Sequence, residues 1–210
     1  MATNSNIKEK KNKNQDNQSN PENIIEIRNL KKSFGDTCVL DNINLELNKG
    51  ENIVVLGKSG VGKTILIKCI SGLIEPDEGE LYVFNKNISK LSEAELNKIR
   101  IKIGFLFQGG ALYDSMTVRE NLLFPLKRNL EKISKEEEEA RMKEVLESVG
   151  LPHVADSMPS ELSGGMKKRI GLARALILRP EVILYDEPTT GLDPITAKEI
   201  SNLILSVQQK

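Results

Sequence analysis

The sequence predicts an α/β fold built around a parallel sheet, and three patterns lead to that expectation. Two short apolar runs, residues 53–56 and 182–185, have the composition of buried strands. The first run enters a glycine-rich loop that is followed by a helix-like segment over residues 62–70. Strand, loop and helix in this order are typical of parallel α/β domains. The 210 residues, 39% of them hydrophobic, suffice for one sizeable core, so we expect a single folded domain.

The N-terminal part is expected to be β-rich after a polar tail. Residues 1–22 are dominated by Asn, Lys, Gln and Ser without an aromatic residue, which predicts a disordered tail. Residues 24–30 and 38–47 are β-type runs, separated by Phe34, Gly35 and Asp36 and ended by a turn at residues 48–50. These runs predict that an antiparallel β-region opens a domain spanning residues 23–210.

The middle of the chain is expected to be helical. Residues 135–149 place apolar side chains near helical spacing among glutamates and lysines. We therefore expect an inserted helical subdomain over about residues 109–165. Two further helices are predicted, over residues 167–178 and, as an amphipathic segment, over residues 195–207.

Composition argues against several classes of protein. Lys plus Arg and Asp plus Glu number 30 each, and the resulting net charge of zero gives no electrostatic reason to expect a nucleic-acid partner. The apolar runs are far shorter than the ~18 residues that a membrane-spanning helix needs. No apolar stretch follows the polar N-terminus, so we expect no secretory signal and a cytoplasmic location.

The strongest chemical signal is the glycine-rich loop, which matches the phosphate-loop pattern G-x-x-x-x-G-K-[ST] in its strand-to-helix context. Its glycines let backbone N–H groups surround a β-phosphate at a helix N-terminus. We expect Lys63 to reach the β- and γ-phosphates and the Thr64 hydroxyl to coordinate Mg²⁺. The motif consists of Gly57, Lys58, Ser59, Gly60, Val61, Gly62, Lys63 and Thr64.

Two carboxylates follow the second apolar run. Asp186 and Glu187 would lie at the carboxyl end of a buried strand, where α/β folds bind ligands. We expect Asp186 to hold Mg²⁺ and Glu187 to orient or deprotonate the attacking water in γ-phosphate hydrolysis. The alternative is a solvated acidic turn before Pro188.

A second anion-binding device precedes the helix at residues 167–178. Ser163 is suited to cap that helix, and Gly164 and Gly165 would leave its N–H groups accessible. Ser-Gly-Gly alone is a weak signal, because a serine cap is common at any helix start. It gains weight from its place shortly before the strand that ends in Asp186.

In this order, the phosphate loop, Gln108 after the strand-like residues 103–107, Leu-Ser-Gly-Gly, the carboxylate pair and Gly191-Leu192-Asp193 resemble the ABC ATPase family. The resemblance covers nearly everything after residue 24. It implies a P-loop NTPase fold, the ABC nucleotide-binding domain, with ATP and Mg²⁺ as ligands. It also implies that Phe34 stacks on adenine, that Gln108 contacts Mg²⁺ and a transmembrane partner, and that Asp193 belongs to the loop linking two sites.

The same resemblance implies a head-to-tail homodimer that sandwiches ATP, with Ser163, Gly164 and Gly165 of one chain closing on the γ-phosphate held by the other. Within the family, residues 108–118, Met166 in place of the usual glutamine, and residues 186–195 resemble the lipid-asymmetry (Mla-type) branch. That branch energises phospholipid traffic with membrane permeases and MCE-family lipid-binding proteins. The expected location is thus peripheral, on the cytoplasmic face of a membrane.

The sequence also departs from the family pattern. A switch histidine is expected about thirty residues beyond the carboxylate pair, at the end of a further strand, and the only histidine here is His153. We assign His153 no catalytic role. We expect an incomplete C-terminus and impaired turnover by these 210 residues. Two alternatives stay open: an ABC ATPase that acts on nucleic acid, and a non-hydrolysing truncated fragment.

Overall fold

The computed structural model describes residues 23–58, 60–130 and 132–208. The predicted tail at residues 1–22 lies outside these ranges, as does Ser59 of the phosphate loop. The fold combines an antiparallel sheet, a parallel strand pair and six α-helices within the described part of the chain.

The antiparallel sheet confirms the predicted β-region. Strands β1 (Asn23–Phe34) and β2 (Thr37–Asn48) pair antiparallel around a tight turn at Gly35, whose φ of 56° favours glycine. Strand β3 (Glu78–Val83) pairs with the other edge of β1, and the short strand β4 (Lys86–Asn87) pairs with β3. The strand order is β2-β1-β3-β4.

Two helices share the core of this sheet. Helix α1 (Lys63–Ile70) follows the phosphate loop, and helix α2 (Glu93–Ile101) begins at a capping box in which Ser92 and Glu95 satisfy each other's backbone N–H groups. Their buried side chains join those of β1 and β3 in one apolar cluster. This first core places the N-terminus of α1 beside the antiparallel sheet.

A second core lies around the parallel strand pair. Strands β5 (Ile103–Leu106) and β6 (Val182–Tyr185) pair in parallel, and the chain between them contributes helices α3 (Val118–Asn129), α4 (Lys135–Ser148) and α5 (Gly164–Leu176). Buried residues such as Leu106, Leu122 and Ile170 form its centre. Helix α6 (Pro194–Gln208) packs its apolar side against the same cluster.

The predicted strand at residues 53–56 is wrong in this structure. These residues adopt no strand conformation, and their side chains are exposed by 43% at Ile53, 78% at Val54, 45% at Val55 and 87% at Leu56. A strand forms only when a neighbouring strand satisfies its backbone N–H and C=O groups. Within the described ranges, no strand pairs with this run.

The other predicted elements are present with shifted boundaries. Strand β5 ends at Leu106 instead of residue 107, and α5 begins at Gly164, earlier than the predicted residue 167. The predicted helix at residues 135–149 is α4, and the amphipathic segment at 195–207 is α6. None of the helices in the described part is long and apolar enough to cross a bilayer.

Candidate functional site

The phosphate loop curls into the N-terminus of α1. Gly60 and Gly62 have φ angles of 80° and 104°, a region that side chains disfavour. A Cβ on Gly62 would lie 2.9 Å from Cγ1 of Val39, so this position has no room for a side chain. Gly62 takes the N-cap position without a side-chain cap, which leaves the first N–H groups of α1 available to an anion.

Lys63 is the cation of this loop. Its ammonium donates hydrogen bonds to the backbone carbonyls of Gly57 at 2.9 Å and Lys58 at 3.0 Å. The same Nζ lies 3.5 Å from Oε1 of Glu187. The lysine therefore lies between the loop that would hold phosphates and a carboxylate at the end of β6.

Thr64 and Asp186 lie at a distance that is compatible with binding to one Mg²⁺ ion. The Thr64 hydroxyl donates to Oδ1 of Asp186 at 2.9 Å, and Asp186 is 5% exposed. Adjacent ligands of an octahedral Mg²⁺, each about 2.1 Å from the ion, lie about 3 Å apart, so both oxygens fit one coordination sphere. In the described part, no group of three or more His, Cys, Asp or Glu side chains is placed to hold a metal ion, but Mg²⁺ commonly binds through one or two protein oxygens plus phosphates and water.

Glu187 lies in an unusual backbone conformation at the end of β6. Its φ is 45°, which is disfavoured for a residue with a side chain. Its Oε2 accepts a hydrogen bond from the Thr190 hydroxyl at 3.1 Å and lies 3.4 Å from Nε2 of Gln108. The carboxylate is thus held between the loop after β5, the turn after β6 and the ammonium of Lys63.

Five of the predicted site residues therefore meet in one place. They come from three elements: the start of α1, the loop after β5 and the end of β6. Parallel strands bring their carboxyl ends to the same edge of a sheet, which explains why the loops after β5 and β6 are neighbours. The five residues are Lys63, Thr64, Gln108, Asp186 and Glu187.

The Ser-Gly-Gly segment lies apart from that group. Ser163 caps α5, and its hydroxyl accepts a hydrogen bond from the backbone N–H of Met166 at 3.2 Å, as the sequence predicted. A Cβ on Gly164 would make an ordinary contact with Cδ2 of Leu192 at 3.8 Å, whereas a Cβ on Gly165 would lie 2.6 Å from Cγ2 of Thr196. In the described ranges no hydrogen bond joins this segment to the phosphate loop.

Phe34 and Asp193 also lie outside the central group. Phe34 ends β1, is 47% exposed as a residue, and has the Lys32 ammonium 5.4 Å from its ring centroid. The Asp193 carboxylate caps α6, because it accepts hydrogen bonds from the backbone N–H groups of Thr196 and Ile195, each at 3.1 Å. The Thr196 hydroxyl, first, and then these backbone N–H groups lower the pKa of Asp193.

The remaining sequence predictions have clear positions. His153 is exposed, and Met166 packs partly buried against the second core. The adenine, metal-binding and catalytic roles given to individual residues stay predictions.

Sequence reasoning missed two buried polar residues beside the site. Asn121 is fully buried in α3, where its amide bonds the backbone of the loop after Gln108, including the N–H and the carbonyl of Tyr113. Lys168 is buried in α5 and donates to the carbonyl of Thr190. A signal existed for Lys168, because its spacing from Gly165 and Leu172 places it on the buried face of a helix.

Comparison with known proteins identifies the family and the fold of this chain. Residues 40–190 match the model of a family described as ABC transporter. The chain is 42% identical over 189 residues to the methionine import ATP-binding protein MetN of Rhizobium johnstonii, covering 90% of this chain and 52% of that protein. It is also 42% identical over 187 residues to the intermembrane phospholipid transport system ATP-binding protein MlaF of Haemophilus influenzae, covering 87% of this chain and 69% of that protein.

Solved structures share the fold. A dimeric ATP-binding cassette in a post-hydrolysis state, bound to ADP and Pi, superimposes with a TM-score of 0.80 at 36% identity, covering 88% of this chain and 83% of the other. The present chain spans about half the length of the first methionine-import relatives, 52% and 58%. The family match, the relatives and the shared fold together establish that this chain belongs to the ABC transporter family and has the fold of its ATP-binding cassette.

Proposed function

We propose that this chain is the ATP-hydrolysing subunit of an ABC transporter, which dimerises on MgATP at the cytoplasmic face of a membrane and energises a permease. The observation that carries the proposal is the contact between the phosphate loop and the end of β6. There Thr64 touches Asp186, and Lys63 lies 3.5 Å from Glu187. A cation, a hydroxyl and two carboxylates at a helix N-terminus are the groups that phosphoryl transfer from a bound nucleotide requires.

Each group has a role in this proposal. Backbone N–H groups of residues 57–64 and the Lys63 ammonium bind the phosphates. Thr64, Asp186 and Gln108 would hold Mg²⁺, which neutralises charge on the phosphates when it is bound. Glu187 accepts a proton from the attacking water or orients it, and its contacts with Thr190 and Gln108 aim the carboxylate.

The dimer would complete the site. Ser163 and Gly164 are exposed at the N-terminus of α5, where N–H groups can meet an anion from a second copy. The related cassette bound to ADP and Pi is dimeric, which supports a dimer here, and the head-to-tail arrangement is what the family resemblance implies. Phe34 would receive the adenine ring on its exposed face.

The substrate would be a phospholipid or another hydrophobic molecule, handled by the permease with an MCE-family lipid-binding partner. Met166 and residues 108–118 favour this branch, and one relative is named for phospholipid transport. Several relatives of similar identity are instead named for methionine import. Transport assays decide between the two: proteoliposomes holding the purified complex should move a labelled phospholipid and leave labelled methionine outside. ATP-dependent methionine uptake without lipid movement would overturn the lipid assignment.

We also propose that these 210 residues alone turn over MgATP slowly. Residues 53–56, which lead into the phosphate loop, are exposed and unpaired in the described part of the chain, so the loop has a weak support on that side. The test compares phosphate release by this chain with release by the product captured from native membranes. Equal rates per site would contradict the proposal.

The first experiment is affinity capture of the native product from its own membranes, followed by mass spectrometry of its length and companions and by a MgATP turnover assay. Lys63→Met removes the cation of the phosphate loop, and we expect it to abolish measurable ATP binding and turnover. Lys143→Met is the matched control, because the Lys143 side chain is 75% exposed on α4, and it should leave turnover unchanged.

The outcomes separate the possible functions. Turnover together with a co-purified integral-membrane permease supports an ABC transporter subunit. Turnover with nucleic acid in place of a permease would indicate an ABC ATPase that acts on nucleic acid. Absence of turnover in the native product would indicate a non-hydrolysing protein and would overturn the proposal.

A further inference from the structure

Lys168 is a buried lysine that none of the motifs above explains. It lies in the second turn of α5 with 6% of its surface exposed, a degree of burial that lysine seldom shows without a partner. Its ammonium donates a hydrogen bond to the backbone carbonyl of Thr190. Burial lowers the pKa of Lys168, and the negative charge of Glu187 acts in the opposite direction.

The carbonyl that Lys168 binds belongs to the turn that begins at Glu187. The backbone N–H of Thr190 donates to the carbonyl of Glu187 at 3.2 Å, and the Thr190 hydroxyl donates to Oε2 of Glu187 at 3.1 Å. The turn is therefore closed by a backbone bond and a side-chain bond. The hydrogen bond from Lys168 holds the Thr190 end of this turn against α5.

Helix α5 also holds the other loop that contacts Glu187. Arg174 of α5 donates to the carbonyl of Gly110 at 3.1 Å, and a Cβ on Gly171 would lie 2.9 Å from Cα of Gly110. Gly110 follows Gln108, whose amide lies 3.4 Å from the Glu187 carboxylate. One helix thus holds the loops on both sides of that carboxylate.

We propose that Lys168 is a positioning residue for ATP hydrolysis: its bond to Thr190 fixes the turn over residues 187–190 and so aims the Glu187 carboxylate. The inference rests on the proposed function and deepens it, because Lys168 bonds the backbone of Thr190 and acts on Glu187 through that turn. Small displacements of a catalytic group lower rates steeply, about 10²-fold for an error near 1 Å.

A purely structural role for Lys168 predicts a different result. If Lys168 only stabilised the fold, its loss would lower the unfolding temperature and the rate together. Lys168→Met removes the donor of the Thr190 carbonyl, so part of any effect on turnover will come from lost stability. A positioning role therefore predicts that the loss of kcat exceeds what the fall in unfolding temperature explains, with the protein still folded at the assay temperature.

The experiment uses the native product in its membrane complex and measures kcat, KM for MgATP and the unfolding temperature. We expect Lys168→Met to lower kcat about 10-fold or more, with KM within about twofold and an unfolding temperature that stays well above the assay temperature. Lys168→Arg keeps a charged donor and should recover part of the rate. Lys143→Met again serves as the exposed control.

A double-mutant cycle with Thr190→Val tests whether Lys168 acts on Glu187 through the turn that contains Thr190. Thr190→Val removes the hydroxyl that bonds Glu187, so both variants disturb the same turn, and their combined loss of kcat should be smaller than the product of the separate losses. If Lys168→Met does not fold, Lys168→Gln, which keeps an N–H donor, takes its place in the same cycle. Independent effects in the cycle would overturn the positioning role.

The remaining outcomes distinguish the two proposals. A wild-type complex that turns over ATP while Lys168→Met matches its kcat would overturn the role of Lys168 and leave the proposed function intact. A wild-type complex without turnover would overturn the proposed function, and the role of Lys168 would fall with it. A loss of kcat that follows the unfolding temperature across all Lys168 variants would assign the residue to stability.

Discussion

Residues 53–56 and 182–185 are two apolar runs of the same length, each followed at once by residues of the candidate site, yet they have opposite structures. The second run is strand β6, in parallel register with β5, and Leu184 is buried. The first run forms no strand, and Leu56 is 87% exposed. An apolar run can therefore form a strand, but whether it does depends on a partner strand beside it.

The difference extends to the residues that follow each run. Asp186 continues the ladder of β6, because its N–H donates to the carbonyl of Leu106 at 2.9 Å. Among the described residues of the loop after residue 56, no bond to a neighbouring strand is present, and Lys63 bonds the carbonyls of Gly57 and Lys58. The carboxylates are therefore fixed by a sheet, and the phosphate loop is fixed by its own lysine.

The largest expected effect is on ATP hydrolysis, and it comes from changing Glu187 at the end of the paired strand β6. Glu187→Gln keeps the shape of the side chain but removes the base, so we expect kcat of the native product to fall by about 10² to 10⁴. Phosphate-release assays measure this change, and MgATP-dependent dimerisation should persist. Glu181→Gln is the matched control, because Glu181 pairs with Lys102 just before β6. Unchanged turnover in Glu187→Gln would remove Glu187 from the mechanism.

A second prediction tests the structural contrast directly. Leu184→Ala removes a side chain that is 8% exposed in the first core, and we expect the free energy of unfolding to fall by about 2 to 5 kcal/mol. Leu56→Ala should change it by less than about 0.5 kcal/mol, because that side chain is in solvent. Urea unfolding of both variants measures the difference. Similar losses would mean that residues 53–56 are buried in solution.

The smallest effect concerns the last residue of β6. Burial raises the pKa of Tyr185 to about 12, and no hydrogen-bond partner for its buried hydroxyl occurs among the described residues. Tyr185→Phe removes that unsatisfied group and should raise the free energy of unfolding by about 1 kcal/mol at neutral pH. Urea unfolding measures the gain, with Tyr82→Phe as a control in β3.

The same pKa predicts an alkaline loss of stability. The folded protein keeps Tyr185 protonated to higher pH than the unfolded chain does. The stability that comes from this difference is therefore complete below about pH 10 and is lost as the pH rises toward 12. Tyr185→Phe should flatten that part of the stability curve. A slope equal to that of the wild type would show that Tyr185 does not titrate in this range.

Most of the structural elements that were predicted correctly follow from local sequence patterns. The hairpin of β1 and β2, helix α1, strand β6 and the Ser163 cap of α5 were predictable because each depends on nearby residues. Strand β3 and the separate helices α2 and α3 were not assigned. Their signals were present: Ser92 with Glu95, and Thr117 with Glu120, form capping boxes at the two helix starts.

Non-local contacts explain what the sequence could not predict. Nothing near residues 53–56 shows whether a strand lies beside them, since sheet partners come from distant parts of a chain. The bond of Lys168 to Thr190 likewise joins two segments that only the packing of α5 brings together. The grouping of Lys63, Thr64 and Asp186 was predictable because a known motif already encodes that tertiary contact.

The left-handed backbone at Glu187 has an evolutionary consequence. A side chain at φ 45° costs of order 1 kcal/mol relative to glycine, so the fold would be more stable with another residue there. In a gene copy that is no longer selected for turnover, substitution of Glu187 by glycine or asparagine would be favoured, because it would make the fold more stable. A carboxylate that persists at position 187 across descendants would therefore record continued selection for chemistry at the expense of stability.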